Sequence, residues 1–186
     1  MKQLALALAL SGALALGVAT TPALASMETE EAKSTASSAA AIAREDMYEA
    51  FGDKQLKPGQ YLWRDVESDG DSRVIVSLSD QLAYLYRGNE LVAVSTISSG
   101  REEHPTPTGI FNVHYKTPMH RSVKYENAPM PFAQFFDEYG TAFHAGQLPG
   151  HPASHGCVRL HPENAKIFFS LVKNIGMENT LITVVR

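Results

Sequence analysis

Between Val74 and His114 the chain breaks into short runs of β-branched and aromatic residues, each closed by turn residues, and this segmentation narrows the possible folds most. The runs are Val74 to Leu78, Leu82 to Tyr86, Leu91 to Ile97 and Ile110 to His114. Gly88-Asn89 fits a tight hairpin turn between the second and third. Leu82, Tyr84 and Tyr86 alternate with Ala83 and Leu85, the period of a strand packed on at least one face. One long helix is predicted. Pro162 suits its first position, Ala165, Phe168, Phe169, Val172 and Ile175 form an apolar stripe, and Gly176 stops it. Leu181 to Val185 then returns as a closing strand. The expected architecture is mainly β with one or two packed helices, of the α+β class.

The rest of the chain is organised around that unit. Residues 1–25 carry one charge, Lys2, an apolar run from Leu4 to Val18, and Ala23-Leu24-Ala25, which has the small-x-small form of a signal peptidase site. They are expected to be a secretory signal cut near Ala25. The run is short for a spanning helix and is interrupted by Thr20, Thr21 and Pro22. Residues 26–55 hold acids, serines and an alanine run with few large apolar side chains, and are expected to be a tether in which Ala39 to Phe51 forms at most a turn or two of helix. The folded domain is expected to span 56–186. Residues 115–139 contain Pro118, Pro129 and Pro131 with no periodic stretch. A long loop walling a cleft is expected there, because Met130, Phe132, Phe135 and Phe136 would be costly to leave in water.

A net charge of −4, without a block of lysines and arginines to follow a phosphate backbone, argues against a nucleic-acid partner. The 186 residues contain one cysteine. In an exported protein it has no internal disulfide partner, so Cys157 is either buried and inert or reactive. It lies in Pro152-Ala153-Ser154-His155-Gly156-Cys157-Val158-Arg159-Leu160, shortly after Phe143-His144-Ala145-Gly146. A thiol with its ordinary pKa near 8.5 is only a few per cent ionised at pH 7 and needs a base or cation beside it to act as a nucleophile. His144 and His155 are the candidate bases. The N–H groups around Gly156 and Cys157 are candidates for an oxyanion site, and Arg159 could hold a carboxylate through its planar fork. A metal site is the competing reading, since His144, His151, His155, Cys157 and His161 fall within eighteen positions. No pair among them has the C-x-x-C or H-E-x-x-H form, and a metal-bound thiolate would be quenched as a nucleophile.

Ser154-His155-Gly156-Cys157-Val158-Arg159-Leu160 with His144 upstream resembles the signature of the L,D-transpeptidase family, the YkuD-type domain. The resemblance runs from about Arg73 to Val185 and takes in Ser95-Thr96-Ile97-Ser98-Ser99-Gly100 and Thr106-Pro107-Thr108-Gly109. It implies a mixed-sheet or sandwich-like catalytic domain with a cleft under a lid, and it implies a reaction. Cys157 would attack the carbonyl of the third residue of a peptidoglycan tetrapeptide stem, expel the terminal D-alanine and form a thioester. A diaminopimelate-type amine of a second stem, or a lysine of a wall-linked protein, would resolve it. The matching positions make Cys157 the nucleophile, His144 the general base and acid, and Ser154, His155, Gly156 and Arg159 motif residues shaping the oxyanion and substrate sites. No cofactor is implied, and carbapenems are the implied inhibitors. The compartment implied is the periplasm or another site reached by export.

Two features depart from the family pattern. Nine residues separate His144 from Ser154, a short spacing that requires a compact loop, and residue 159 is Arg where some relatives have Asn. Thr106 to Gly109 reads as a turn before a strand, with no catalytic part. Water in place of the amine would make the same thioester enzyme a carboxypeptidase or amidase, and loss of His144 or Cys157 would leave only a wall-binding module. Both residues are present.

Overall fold

The computed structural model describes residues 30–186 apart from Asp69; the expected signal segment 1–25 lies outside them. In chain order the elements are α1 (Glu30–Phe51), β1 (Tyr61–Trp63), β2 (Ser72–Ser77), β3 (Leu82–Arg87), β4 (Glu90–Ser98), β5 (Gly109–Asn112), β6 (Tyr115–Ser122), β7 (Ala128–Phe135), β8 (Ala142–Ala145), β9 (Val158–Leu160), α2 (Pro162–Ile175) and β10 (Thr180–Val185). The strands form one mixed sheet in the order β5-β10-β2-β3-β4-β9-β8-β7-β6, with β1 added against β4. Two adjacent pairs are parallel, β10 with β2 and β8 with β9. The β-rich runs, the hairpin at Gly88-Asn89, the single long C-terminal helix and the closing strand all stand where the sequence pattern places them.

Strand alternation divides the interior in two. Val74, Val76, Ala83, Leu85, Ile182 and Val184 point to one face and pack with Phe168 and Val172 of α2. Ile75, Tyr84, Tyr86 and Val94 point to the other face, and Ala43 and Met47 of α1 cover them. Two helices therefore sandwich the sheet, and its central strands are buried on both faces. α2 is set by its ends as well as its stripe. His161 Nδ1 accepts the Glu163 N–H at 3.4 Å, Pro162 takes the first helical position, and Gly176 with φ 105° ends the helix.

Two expectations need correction. The segment 26–55 is not a tether beyond Glu30, because α1 is a 22-residue helix docked on the sheet. Ala40, Ala43 and Met47 recur at helical spacing on its buried side, Asp46 accepts the Tyr86 hydroxyl at 2.6 Å, and Arg44 pairs with Asp80 at 2.6 Å. The large apolar groups for this interface come from the sheet, and the alanines let the helix approach it, so composition alone underestimates the segment. The folded unit starts well before Leu56.

The stretch 115–139 is not an irregular loop but mainly the β6–β7 hairpin, in register from Tyr115 opposite Phe135 to Ser122 opposite Ala128. Its prolines sit where a ladder bond is dispensable. β6 is the sheet edge, and β7 pairs with β8 only at Gln134 and Phe135, so Pro118, Pro129 and Pro131 never lie between two partner strands. Phe132, opposite Pro118, adopts φ 56°, a local break in the pleat.

Candidate active site

The parallel pairing of β8 and β9 sets the geometry. Phe143 aligns with Val158, His144 with Arg159, and Ala145 with Leu160. Phe143, Ala145, Val158 and Leu160 all point into the core beside α2. Alternation therefore sends His144, Arg159 and Cys157, which immediately precedes β9, to the opposite face. There they line a cleft of about 1260 Å³ together with the inner side of the β6–β7 hairpin. His144 and Cys157, separated along the chain by a compact loop, are brought together on adjoining strands.

The loop that leads into Cys157 is held by buried hydroxyls. Ser154 Oγ donates to the Cys157 carbonyl at 2.5 Å and accepts the Gly156 N–H at 3.1 Å. Thr106 Oγ1 donates to the Gly156 carbonyl at 2.7 Å and accepts the Gly100 N–H at 2.8 Å. Gly100 is itself wedged in place, since a Cβ there would meet the His104 carbonyl oxygen at 2.1 Å. The Ser99 carbonyl accepts the N–H groups of both Ala153 and Ser154, each at 2.9 Å. Gly156 adopts φ 113°, a conformation that favours glycine. Ser154 thus braces the loop, and the Gly156 N–H is already engaged. Thr106, read from sequence as a turn residue, is a brace of the same loop. Nothing in a Thr-Pro-Thr-Gly string distinguishes a turn from a turn whose hydroxyl reaches fifty residues along the chain.

The two histidines separate clearly. His144 is 8% exposed, and its Nδ1 lies 2.8 Å from the Ala145 carbonyl. A carbonyl can only accept, so Nδ1 carries the proton and Nε2 holds the lone pair. Burial lowers the imidazole to a pKa of about 4, with the Ala145 hydrogen bond opposing the shift and Arg159 adding to it. His155 is exposed. Its Nε2 lies 2.8 Å from Arg101 Nη2, which can only donate, so the lone pair on that nitrogen is occupied by Arg101. Tyr125, in the hairpin tip, stacks on the ring with centroids 4.3 Å apart, and His104 packs at 5.1 Å.

Cys157 is half-buried against Met130, Ala133, Phe135 and Ala142. Its sulfur lies 4.0 Å from the Gly140 carbonyl oxygen. Burial raises the thiol pKa above its ordinary value and Asp137 raises it further, while a backbone hydrogen bond from Ala142 and the charge of Arg159 pull it down. Both members of the pair are therefore neutral at rest. The Arg159 stem lies over Gly146, where an added Cβ would meet its Cδ at 3.0 Å, and the residue lines the cleft.

The remaining histidines stand apart. His151 is exposed with Nδ1 3.0 Å from the Pro152 carbonyl, and His161 caps α2. Among the described residues no three His, Cys, Asp or Glu side chains are gathered to hold a metal ion. Sequence reasoning missed Thr106, Asp137 and Tyr125, since each acquires its place only through tertiary structure.

The sequence profile of the L,D-transpeptidase catalytic domain, YkuD, matches residues 71–184. No curated relative matches the chain. Similar solved structures include an L,D-transpeptidase in complex with imipenem, with a TM-score of 0.55 and 21% identity over 62% of this chain and 59% of that one. The L,D-transpeptidase of Stackebrandtia nassauensis aligns with a TM-score of 0.57 and 20% identity over 77% of this chain and 66% of that one. An avibactam carbamoyl enzyme, Ldtfm, aligns with a TM-score of 0.52 and 22% identity over 65% and 50%. The chain spans less than two thirds of the length of the first of these. These likenesses establish the fold, and the profile match over most of the chain establishes the family: the chain belongs to the L,D-transpeptidase (YkuD) catalytic-domain family.

Proposed function

We propose that this protein is a working L,D-transpeptidase that acts outside the cytoplasmic membrane on peptidoglycan stem peptides through a thioester on Cys157. The observation that carries the reading is the locked tautomer of His144, whose Nδ1–H is held by the Ala145 carbonyl while Nε2 is left as a base on the cleft face, one strand from the nucleophile. The neutral resting pair fixes the order of events. As Sγ adds to the carbonyl of the third stem residue, its proton passes to Nε2. The resulting imidazolium returns that proton to the departing D-alanine amine. An incoming amine of a second stem then loses a proton to Nε2 as it attacks the thioester, and the thiol is regenerated.

With the Gly156 N–H bonded to Ser154, the Cys157 N–H is the donor of the motif that remains for the developing oxyanion. Arg159, placed over Gly146 in the cleft, suits a carboxylate of the donor stem. Because one relative was solved with imipenem and another as an avibactam adduct, a strained lactam is expected to acylate Cys157 in the same cleft.

The test is to incubate the purified protein with defined tetrapeptide muropeptides and read the products by mass spectrometry. A cross-linked dimer is expected, absent in Cys157→Ala and insensitive to chelator. A tripeptide alone would replace transfer by hydrolysis, and dimer formation by Cys157→Ala would refute the mechanism.

A further inference from the structure

Asp137 lies in the turn between β7 and β8, in the wall of the cleft. Its Oδ1 accepts the N–H groups of Tyr139 at 3.0 Å and Thr141 at 2.6 Å. These bonds fix the turn that carries Gly140, whose carbonyl oxygen faces the Cys157 sulfur at 4.0 Å. The second carboxylate oxygen, Oδ2, is closed off from solvent and has no hydrogen-bond partner among the described residues. The whole residue is 8% exposed. A buried carboxylate with one oxygen unmatched is costly, and an asparagine would hold the same turn without the charge. The charge therefore calls for a role of its own.

The groups around the sulfur supply one. Asp137 lines the same cleft from the turn, His144 stands on β8, Arg159 on β9, and His155 in the preceding loop. Of these, His144 is neutral at rest and the lone pair of His155 Nε2 is occupied by Arg101. Burial is the largest influence against an anionic sulfur, while the Ala142 backbone hydrogen bond and Arg159 favour it. Asp137 opposes it, and the Gly140 carbonyl opposes it too, because a carbonyl oxygen can accept from S–H but repels S⁻.

We propose that Asp137 is a positioning residue that keeps Cys157 at rest: Oδ1 holds the turn that sets the Gly140 carbonyl against the sulfur, and the carboxylate, with Oδ2 unpartnered, adds to burial in favouring the protonated thiol. The restraint acts on the free thiolate and not on the thioester, whose sulfur carries no charge. Proton loss is thereby tied to attack, when Nε2 of His144 takes the proton, and the lone thiol is shielded from small oxidants and alkylating agents between turnovers.

The test follows Cys157 itself and needs no peptidoglycan, so it stands apart from the transpeptidase assay. Alkylation by iodoacetamide is followed by intact-mass spectrometry from pH 5 to 10 in the wild type, Asp137→Asn and Asp137→Ser, together with oxidation by hydrogen peroxide at pH 7. Both substitutions remove the charge while keeping an oxygen able to accept from the Tyr139 N–H, so one serves if the other fails to fold. The alkylation profile is expected to move to lower pH, with the rate at pH 7 rising about three- to tenfold, a range in which one pKa unit gives ten and the lower nucleophilicity of a more acidic thiol takes some back. Peroxide oxidation should accelerate in parallel. A profile that overlays the wild type, or that moves to higher pH, would overturn the proposal, as would variants that lose thermal stability with no change in profile, since that outcome leaves Asp137 a turn residue only.

Discussion

Two walls of one cleft are built on opposite plans. The nucleophile loop and the segment it rests on, residues 98–106 and 151–157, are fastened by backbone bonds and buried hydroxyls. Ser98 Oγ donates to the His151 carbonyl at 2.8 Å, and Ser154 and Thr106 hold both ends of the Gly156 peptide. The β6–β7 hairpin pairs chiefly with itself and meets the body mainly through side chains. Phe132 packs on Phe169 at 5.9 Å, Lys116 lies over the same ring, and Tyr125 reaches across to His155. Val123 at its tip is 92% exposed. Breaking a bond in the loop leaves buried polar groups unmatched, whereas separating the side chains at the hairpin tip leaves groups that water can serve. On the proposed function, chemistry that requires fixed atoms would belong to the first wall, and accommodation of a bulky stem peptide to the second.

The sharpest way to break this division is to move the base. His144→Ala is expected to slow acylation of Cys157 by a carbapenem about 10²- to 10⁴-fold and to shift its profile to higher pH, where the thiol ionises unaided. His155→Ala should leave the profile in place and cost less than about tenfold, the scale of a weakened packing interaction and not of missing acid–base help. A larger loss in His155→Ala, measured by the same intact-mass time course, would transfer the base to the adaptable wall.

The next largest effect is expected on stability. Thr106→Val keeps the shape of the side chain but strands the Gly156 carbonyl and the Gly100 N–H, at about 1–3 kcal/mol for each group left unsatisfied. Urea unfolding should show a lower midpoint at unchanged slope, and acylation should slow because the loop is no longer fixed. An unchanged midpoint would mean that the hydroxyl bonds do not hold the loop.

pH probes the same wall from another side. Folding lowers His144 to a pKa of about 4, against about 6.5 for a free imidazole. The unfolded chain therefore takes up this proton more readily than the native protein. The contribution is complete above pH 6.5 and is lost as the pH falls from there towards 4, by up to a few kcal/mol. Thermal unfolding at pH 7.5 and 4.5 should show a loss on acidification that is smaller in His144→Gln. An equal loss in both would place the acid sensitivity elsewhere.

The smallest effect belongs to the hairpin. Tyr125→Ala removes a stacking interaction worth about 0.5–1.5 kcal/mol, and it should lower stability by no more than that while raising KM for long stem peptides a few-fold at constant kcat. A fall in kcat with no change in KM would show that the tip is part of the fixed machinery.

The uneven legibility of the sequence follows the same line. Period-two alternation and the Pro162-to-Gly176 framing of α2 are local signals, and they located the sheet and its covering helix. Cys157 stands out by the dense motif around it, and the family resemblance alone ranks His144 above His155; folding brings Cys157 and His144 to one cleft. The hairpin was hidden by its own prolines, which are tolerated only because β6 is an edge and half of β7 lacks a second neighbour. α1 was hidden by alanine, whose contribution depends on what the sheet presents to it. Thr106 and Asp137 could not be read at all, since a hydroxyl or a carboxylate gains a role only from atoms that folding brings to it. Ser154 Oγ joins the Gly156 N–H to the Cys157 carbonyl and so braces the turn before Cys157, a part that the sequence does not suggest.

The position of β10 has a consequence for the order in which the molecule can be made. This last strand lies inside the sheet, between β5 and β2, and its Val185 packs beside Ala40 of α1. Before β10 has emerged from a ribosome, β2 and β5 have unpaired edges and α1 lacks its contact with Val185. The sheet cannot close until β10 is free to pair. Closure of the sheet thus waits on β10, and until it arrives the edges of β2 and β5 stay open to wrong pairing.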